Sequence, residues 1–233
     1  MKAQVCEIFP SIQGEGKFVG YPQIFVRFSG CNLRCEYCDT PQALDPEFAK
    51  SITLGELVRE IKKIKGHHQA LSLTGGEPLL QADFIREFLI EKRKRGEINL
   101  PVLLETNGTL PEELEKTIPY LDFVSMDIKL PSSTGEKDFT NRHREFLKIA
   151  YLKQPFVKII VLDKTKSEEF EEAVDLVAGI DPDLPLFIQP VTPYGKIKHP
   201  PSPGRLLEFA KTSSKRLKEV RIVPQIHRMI GVI

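Results

Sequence analysis

Ile24-Phe25-Val26-Arg27-Phe28-Ser29-Gly30-Cys31-Asn32-Leu33-Arg34-Cys35-Glu36-Tyr37-Cys38-Asp39-Thr40 decides how this chain is read. Ile24 to Phe28 is a short apolar run of β-branched and aromatic residues, the signature of a strand. Directly after it stand three cysteines at C-x3-C-x2-C spacing. Three clustered thiolates can hold a cubane of four irons and leave one iron without a protein ligand, open to a small molecule. An open iron points to chemistry at the cluster rather than to simple electron transfer. Zinc is the rival, but a structural zinc site normally closes a tetrahedron with four ligands. The nearest fourth candidates, Cys6, His67 and His68, lie at no finger-like spacing. A disulfide reading leaves one of the three cysteines odd, in a chain that shows no secretory signal.

Outward from this stretch, apolar runs of strand length alternate with segments of helical period, the pattern of a mainly parallel sheet with crossover helices. Strands are expected at Ile24 to Phe28, Ala70 to Leu73, Val102 to Glu105, Phe123 to Met126, Phe156 to Val161 and Leu186 to Gln189, with a late one at Val220 to Val223. Thr53-Leu54-Gly55-Glu56 and Thr165-Lys166-Ser167-Glu168 read as capping boxes, and Pro111 suits the first turn of another helix. The segments Pro131 to Asn141 and Pro190 to Gly204 are the least regular, and the second is a candidate active-site loop.

The polar motifs share a position. The cysteine loop follows the first strand, Thr74-Gly75-Gly76-Glu77-Pro78 the second, Glu105-Thr106-Asn107-Gly108 the third, Asp127-Ile128-Lys129 the fourth and Gln189-Pro190-Val191-Thr192 the sixth. In a parallel α/β barrel all strand C-terminal ends face one rim, so these motifs converge on one site. Because six strands are too few to close an eight-stranded barrel, the expected fold is α/β: an open, partial TIM-like barrel of about six parallel strands with crossover helices.

The 233 residues suit a single α/β domain spanning 1–233. With 33 basic against 32 acidic residues, no global field recruits nucleic acid or an anionic membrane. The basic run Lys92-Arg93-Lys94-Arg95 is read as the close of a helix before Gly96, where cations meet the negative end of the dipole. No apolar run approaches the roughly 18 to 20 residues that span a bilayer, and a cytoplasmic location, where thiols stay reduced, is expected. Cys6 is expected to be a small buried hydrophobe on an N-terminal strand, with His67 and His68 on a polar turn.

Cys31-x3-Cys35-x2-Cys38, with aromatic Tyr37 and followed by Thr74-Gly75-Gly76-Glu77-Pro78, resembles the radical S-adenosylmethionine superfamily. That resemblance implies a 4Fe-4S cluster on Cys31, Cys35 and Cys38, whose open iron chelates S-adenosylmethionine and whose reduction releases a 5'-deoxyadenosyl radical. Phe9-Pro10-Ser11-Ile12-Gln13-Gly14-Glu15-Gly16, Arg27, Cys38-Asp39-Thr40, Thr106-Asn107-Gly108, Asp127 to Ser133, Gln189-Pro190 and Pro224 to Arg228 are further similar to the 7-carboxy-7-deazaguanine synthase family of queuosine and 7-deazapurine biosynthesis. The likeness covers essentially the whole chain. It implies a lyase that contracts 6-carboxy-5,6,7,8-tetrahydropterin to 7-carboxy-7-deazaguanine with loss of ammonia, a homodimer, a flavodoxin-like one-electron reductant and no nucleic-acid partner.

The resemblance also implies roles. Ile12, Gln13, Gly14, Arg27 and Thr74 would meet the pterin, and Thr40 would bind Mg2+. Tyr37, Cys38, Asp39, Gly76, Asp127, Ile128, Lys129, Gln189, Pro190, Val191 and Thr192 would line the S-adenosylmethionine site, with Glu36 near the adenosyl group. The chemistry is consistent: Gln13 offers a donor and an acceptor to a heterocycle edge, Arg27 a planar fork for a carboxylate, and Gly76 a close backbone approach. Arg27 alternates with apolar Val26 and Phe28 as a solvated strand face would, but its strand leads into the cysteine loop and so favours the site; without the family, Thr40 is a turn or cap residue. Glu15 belongs to the same loop or is solvated. His227 and the terminal residues up to Ile233 have no settled equivalent in the substrate pocket. Two rivals remain, a glycyl-radical activase and a zinc-binding interaction domain.

Overall fold

All seven expected strands are present in the computed structural model, which describes residues 1–195 and 197–232. They join two further strands in one nine-stranded sheet of order β3-β1-β2-β4-β5-β6-β7-β8-β9. The strands are β1 (Lys2–Ile12), β2 (Pro22–Phe28), β3 (Lys50–Thr53), β4 (Ala70–Gly75), β5 (Val102–Thr106), β6 (Phe123–Ile128), β7 (Phe156–Val161), β8 (Leu186–Pro190) and β9 (Val220–Ile222). From β2 to β9 every neighbour is parallel, and β3 and β9 at the ends leave the barrel open. Only the arm of β1 and β3 is antiparallel. Cys6 sits at the bulge where the β1–β2 register shifts between Val5 and Glu7, and it is half-buried rather than buried.

Helices α1 (Leu54–Lys63), α2 (Ala82–Arg95), α3 (Pro111–Thr117), α4 (Pro131–Thr134), α5 (Thr140–Ala150), α6 (Ser167–Ala178), α7 (Pro203–Ser213) and α8 (Ile226–Met229) connect them. None is long and apolar enough to cross a membrane among the described residues. The capping box at Thr53 forms as expected, the threonine hydroxyl accepting from Glu56 N while Glu56 accepts from Thr53 N. The one expected at Thr165 does not form. Its hydroxyl is taken by Leu162 N and Ser133, so Lys166 precedes α6 without a side-chain cap. The basic run closes α2 before a left-handed Gly96, and Pro111 opens α3, both as expected. The stretch from Pro131 contains the single turn α4, whereas the described residues of 191–202 carry no helix or strand.

Alternation along the strands divides the molecule in two. Leu71 and Leu73 of β4, Val124, Met126 and Ile128 of β6, and Val157, Ile159 and Val161 of β7 face the helices and pack with Phe84, Phe88, Phe146, Phe170 and Phe209 in one apolar core. Truncating a fully buried ring there, Phe88 for example, costs about 3–5 kcal/mol. The intervening positions point inward. At the N-terminal ends of the strands these are Leu103, Phe156 and Phe187, joined by Phe18, Phe123 and Val223 into an apolar floor, with Phe156 edge-on to Phe187 at 5.5 Å. Higher up they are polar, and they form the site.

Candidate functional site

A cavity of about 620 Å3 opens at the C-terminal ends of the parallel strands, within the size range of small-molecule sites. Its walls carry Cys31, Cys35 and Cys38, and with them Ile12, Gln13, Gly14, Arg27, Thr74, Tyr37, Asp39, Thr40, Gly76, Asp127, Lys129, Gln189, Val191 and Thr192. Ile128 and Pro190 do not line it. The Ile128 side chain belongs to the core behind the sheet, as its place one step from Asp127 on a strand requires. Glu36 turns outward to Lys164. His227 lines the cavity, while Ile233 lies outside the described residues.

The cysteine loop follows β2 and is fastened to the turn after β4. Glu77 N donates to Gly30 O at 2.8 Å, and Gly76 N donates to Phe28 O at 3.1 Å. A Cβ on Gly76 would stand 2.1 Å from Gly30 O, so any side chain there would push the loop away. With its N–H committed, Gly76 has its carbonyl to offer a ligand. The side chain of Glu77, fully buried, accepts from Leu79 N, Thr106 Oγ1 and Asn107 N and ties the end of β5 to this turn. Burial, against these donors, pushes its carboxyl up to about 7.

All three site cysteines are free thiols. Burial pushes the thiols of Cys31 and Cys35 up, and the nearby Lys129 counters it. Among the described residues no three Cys, His, Asp or Glu side chains converge as ligands of one ion. The thiols are spread along one loop, a soft donor set on one wall, and it suits an iron-sulfur cluster better than a hard cation. Thr40 and Asp39 beside them are oxygen donors. The Thr40 hydroxyl donates to Asp39 Oδ1 at 3.0 Å and caps no helix.

Deeper in the cavity, Lys158 of β7 is 4% exposed. It pairs with Glu15 and, at 3.1 Å, with Asp127. Burial alone would depress its ammonium, but Asp127, Glu15 and Glu105 together hold it well above the ordinary lysine range. Glu15 is buried too, and Lys158 outweighs that burial and lowers its carboxyl. Glu105 remains raised by burial. Lys129 takes the other Asp127 oxygen at 2.9 Å and lies over the Tyr37 ring. Gln13 is fixed at both ends: its Nε2 donates to Gln23 and Glu105, and its Oε1 accepts from Glu15 N. Arg27 is held by Glu7 at 2.7 Å and stacked on Phe9. The buried Oε1 of Gln189, which lines the cavity, meets no hydrogen-bond partner among the described residues, a polar atom left for a ligand.

A final segment closes one side. Gln225 Nε2 donates to Glu15 Oε1 at 2.7 Å and to Asp39 Oδ2 at 2.8 Å, and Ile226 N donates to Gly14 O. Burial would raise the Asp39 carboxyl, but Gln225, Thr40 and Arg228 outweigh it and lower it. His227 packs so closely on Gly14 that a Cβ there would lie 1.9 Å from its Nδ1.

The sequence reading passed over Lys158, Glu77 and the side chain of Glu105, and left Glu15 open. A signal existed: Lys158 in Phe156 to Val161 and Glu105 in Val102 to Glu105 are lone charges in otherwise apolar strands. In a strand buried on both faces, such a residue must meet a partner or a ligand.

Residues 25–177 match the radical SAM superfamily. The chain is 39% identical to the 7-carboxy-7-deazaguanine synthase of Geobacter sulfurreducens, over 98% of this chain and 97% of that one. It is 38% identical to that of Methanothermobacter thermautotrophicus, over 100% and 98%. In fold it is similar to the crystal structure of QueE from Escherichia coli, with a TM-score of 0.69 at 21% identity, covering 97% of this chain and 94% of that one. The cysteine loop, the open parallel barrel and these full-length likenesses agree: the chain belongs to the 7-carboxy-7-deazaguanine synthase family of radical SAM enzymes.

Proposed function

We propose that this chain converts 6-carboxy-5,6,7,8-tetrahydropterin to 7-carboxy-7-deazaguanine with loss of ammonia. The observation that carries the reading is that the cysteine loop and the fixed Gln13 and Arg27 side chains share one cavity. Cys31, Cys35 and Cys38 would hold the 4Fe-4S cluster. When bound, the cluster and S-adenosylmethionine supply, on one-electron reduction, a 5'-deoxyadenosyl radical.

The chain's own residues bind and orient. Tyr37, Cys38, Asp39, Gly76, Asp127, Lys129, Gln189, Val191 and Thr192 would surround the cofactor, with Lys129 supplying a cation to its carboxylate. Gln13, whose amide is locked by Glu105 and the Glu15 backbone, presents a pre-set edge to the heterocycle. Arg27 spends Nε on Glu7 and keeps its terminal nitrogens for the substrate carboxylate. Ile12, Gly14 and Thr74 shape the same wall. Lys158 holds a proton deep in the cavity, and the neighbouring Glu105 carboxyl is raised by burial. The Thr40 hydroxyl, with the substrate carboxylate and waters, suits Mg2+, which keeps hard oxygen ligands. A homodimer in the cytoplasm, served by a flavodoxin-like reductant, completes the proposal.

Anaerobically reconstituted protein, incubated with S-adenosylmethionine, dithionite, Mg2+ and the carboxypterin, should release 7-carboxy-7-deazaguanine. Formation of 5'-deoxyadenosine without that product would refute the substrate assignment. About four irons per chain, lost on Cys35→Ala, is the expected metal content, and stoichiometric zinc without iron would refute the cluster.

A further inference from the structure

We propose that Asn107, on the loop after β5, donates a side-chain hydrogen bond to the sulfur of Cys31 and thereby raises the reduction potential of the cluster. The inference rests on the reading that the three cysteines hold one.

Asn107 is 6% exposed, and its backbone is fixed from two sides. Glu77 accepts its N–H at 2.8 Å, and the His143 ring stands 3.2 Å from its carbonyl oxygen. Because that oxygen can only accept, His143 must present N–H there. The amide orientation follows by the same reasoning. Asn107 Oδ1 faces Thr109 N at 3.1 Å and Thr109 Oγ1 at 2.6 Å. A backbone N–H can only donate, so the oxygen of the amide must point to Thr109 and the NH2 must point the other way. The other way lie Asn32 Oδ1 at 2.9 Å and Cys31 Sγ at 3.9 Å, the outer reach of a bond to sulfur. The Asn32 NH2 faces Thr109 Oγ1 at 2.8 Å, which turns its Oδ1 toward Asn107. Among the described residues, Leu33 N also donates to this sulfur, at 3.4 Å.

An N–H dipole aimed at a cysteine ligand stabilises the form of the cluster with more negative charge, which is the reduced one. Glu77, His143 and Thr109 hold the dipole in place beforehand, so reduction requires no reorientation. Asn107 is therefore a positioning residue for the electron, acting through Cys31.

The experiment is a redox titration of the reconstituted enzyme without S-adenosylmethionine, followed by the electron paramagnetic resonance signal of the reduced cluster. N107D is nearly isosteric and exchanges the donor for an acceptor, while N107A removes both. With iron content equal to that of the parent, each variant should show a lower midpoint, by about tenfold in the reduction equilibrium or about 59 mV for one electron. A parent-like midpoint in a fully loaded variant would overturn the proposal. Should neither variant take up the cluster, the parent enzyme decides. Protein labelled with 15N at the asparagine side chains should show a weak 15N coupling to the reduced cluster, and its absence overturns the proposal. Failure of the parent itself to bind iron would instead sink the cluster reading.

Discussion

Replacing Lys158 by Met should unfold much of the advantage of the barrel interior, and should do so in a pH-dependent way. The two side chains are close in length and volume, so the substitution removes charge without opening a large cavity. Lys158 Nζ stands 3.1 Å from Asp127 and also contacts Glu15. At an effective dielectric of about 20, a unit pair at that distance attracts by about 5 kcal/mol. Desolvation of the ammonium offsets most of this, so the pair itself contributes little net stability. Its removal does not, because Glu15 and Asp127 then remain buried without their cation, a situation that costs roughly 3–5 kcal/mol.

The sign of the pH dependence follows from the shifts. Lys158 is raised above its unfolded value, so its contribution is complete at any pH below about 10.5 and lost only above that. In K158M the carboxylates dominate: Glu105 is already raised by burial, and Glu15 loses the charge that lowered it. Carboxyls raised in the folded state destabilise it as pH climbs above about 4.5, so the deficit should be larger at pH 8 than at pH 5. Urea unfolding of the cluster-free chain measures it, avoiding loss of a bound cofactor during the transition. With m of about 3 kcal/mol/M the midpoint should drop by roughly 1–2 M at pH 8. A drop of less than about 0.3 M, or one equal at both pH values, would refute the reasoning.

Three further outcomes are expected. Gly14→Ala places a Cβ 1.9 Å from His227 Nδ1, so the final segment must shift, and KM for the pterin should rise about tenfold or more while the iron content stays at the parent value. Glu77→Gln removes a carboxyl raised to about 7. The parent should lose roughly 3 kcal/mol between pH 4.5 and 7 from this group, and the variant's urea midpoints should trace a flatter profile. Thr40→Ala should weaken the Mg2+ dependence of turnover with an unchanged cluster spectrum, and retention of the parent Mg2+ response would argue against a metal at that hydroxyl.

The parallel strands from β2 to β8 were legible because they are largely buried on both faces and read as apolar runs, and because every motif lies at a strand's C-terminal end. The antiparallel arm was not. β1 carries Gln4, Glu7 and Pro10 among its apolar residues, and its pattern slips at the bulge between Val5 and Glu7. β3 has only four residues. Thr165 illustrates a different limit, since a capping motif is a local statement and Ser133, a distant residue, took the hydroxyl. In the site, local motifs named the cysteines, Gly76 and Gln13. They could not show that Glu15, Asp127 and Lys158 share one charge balance, because 143 positions separate Glu15 from Lys158 and only the fold joins them. Gln225 is the same case, a glutamine whose meaning lies in touching Glu15 and Asp39 at once.

The aromatic floor beneath the cavity has a consequence for traffic. Phe18, Phe156 and Phe187 seal the N-terminal ends of the strands, so the chamber is a cul-de-sac whose door lies at the opposite end, beside the cysteines. A cul-de-sac closes one route: nothing reaches Gln13 or Lys158 through the aromatic floor, and the polar positions above it face the cavity.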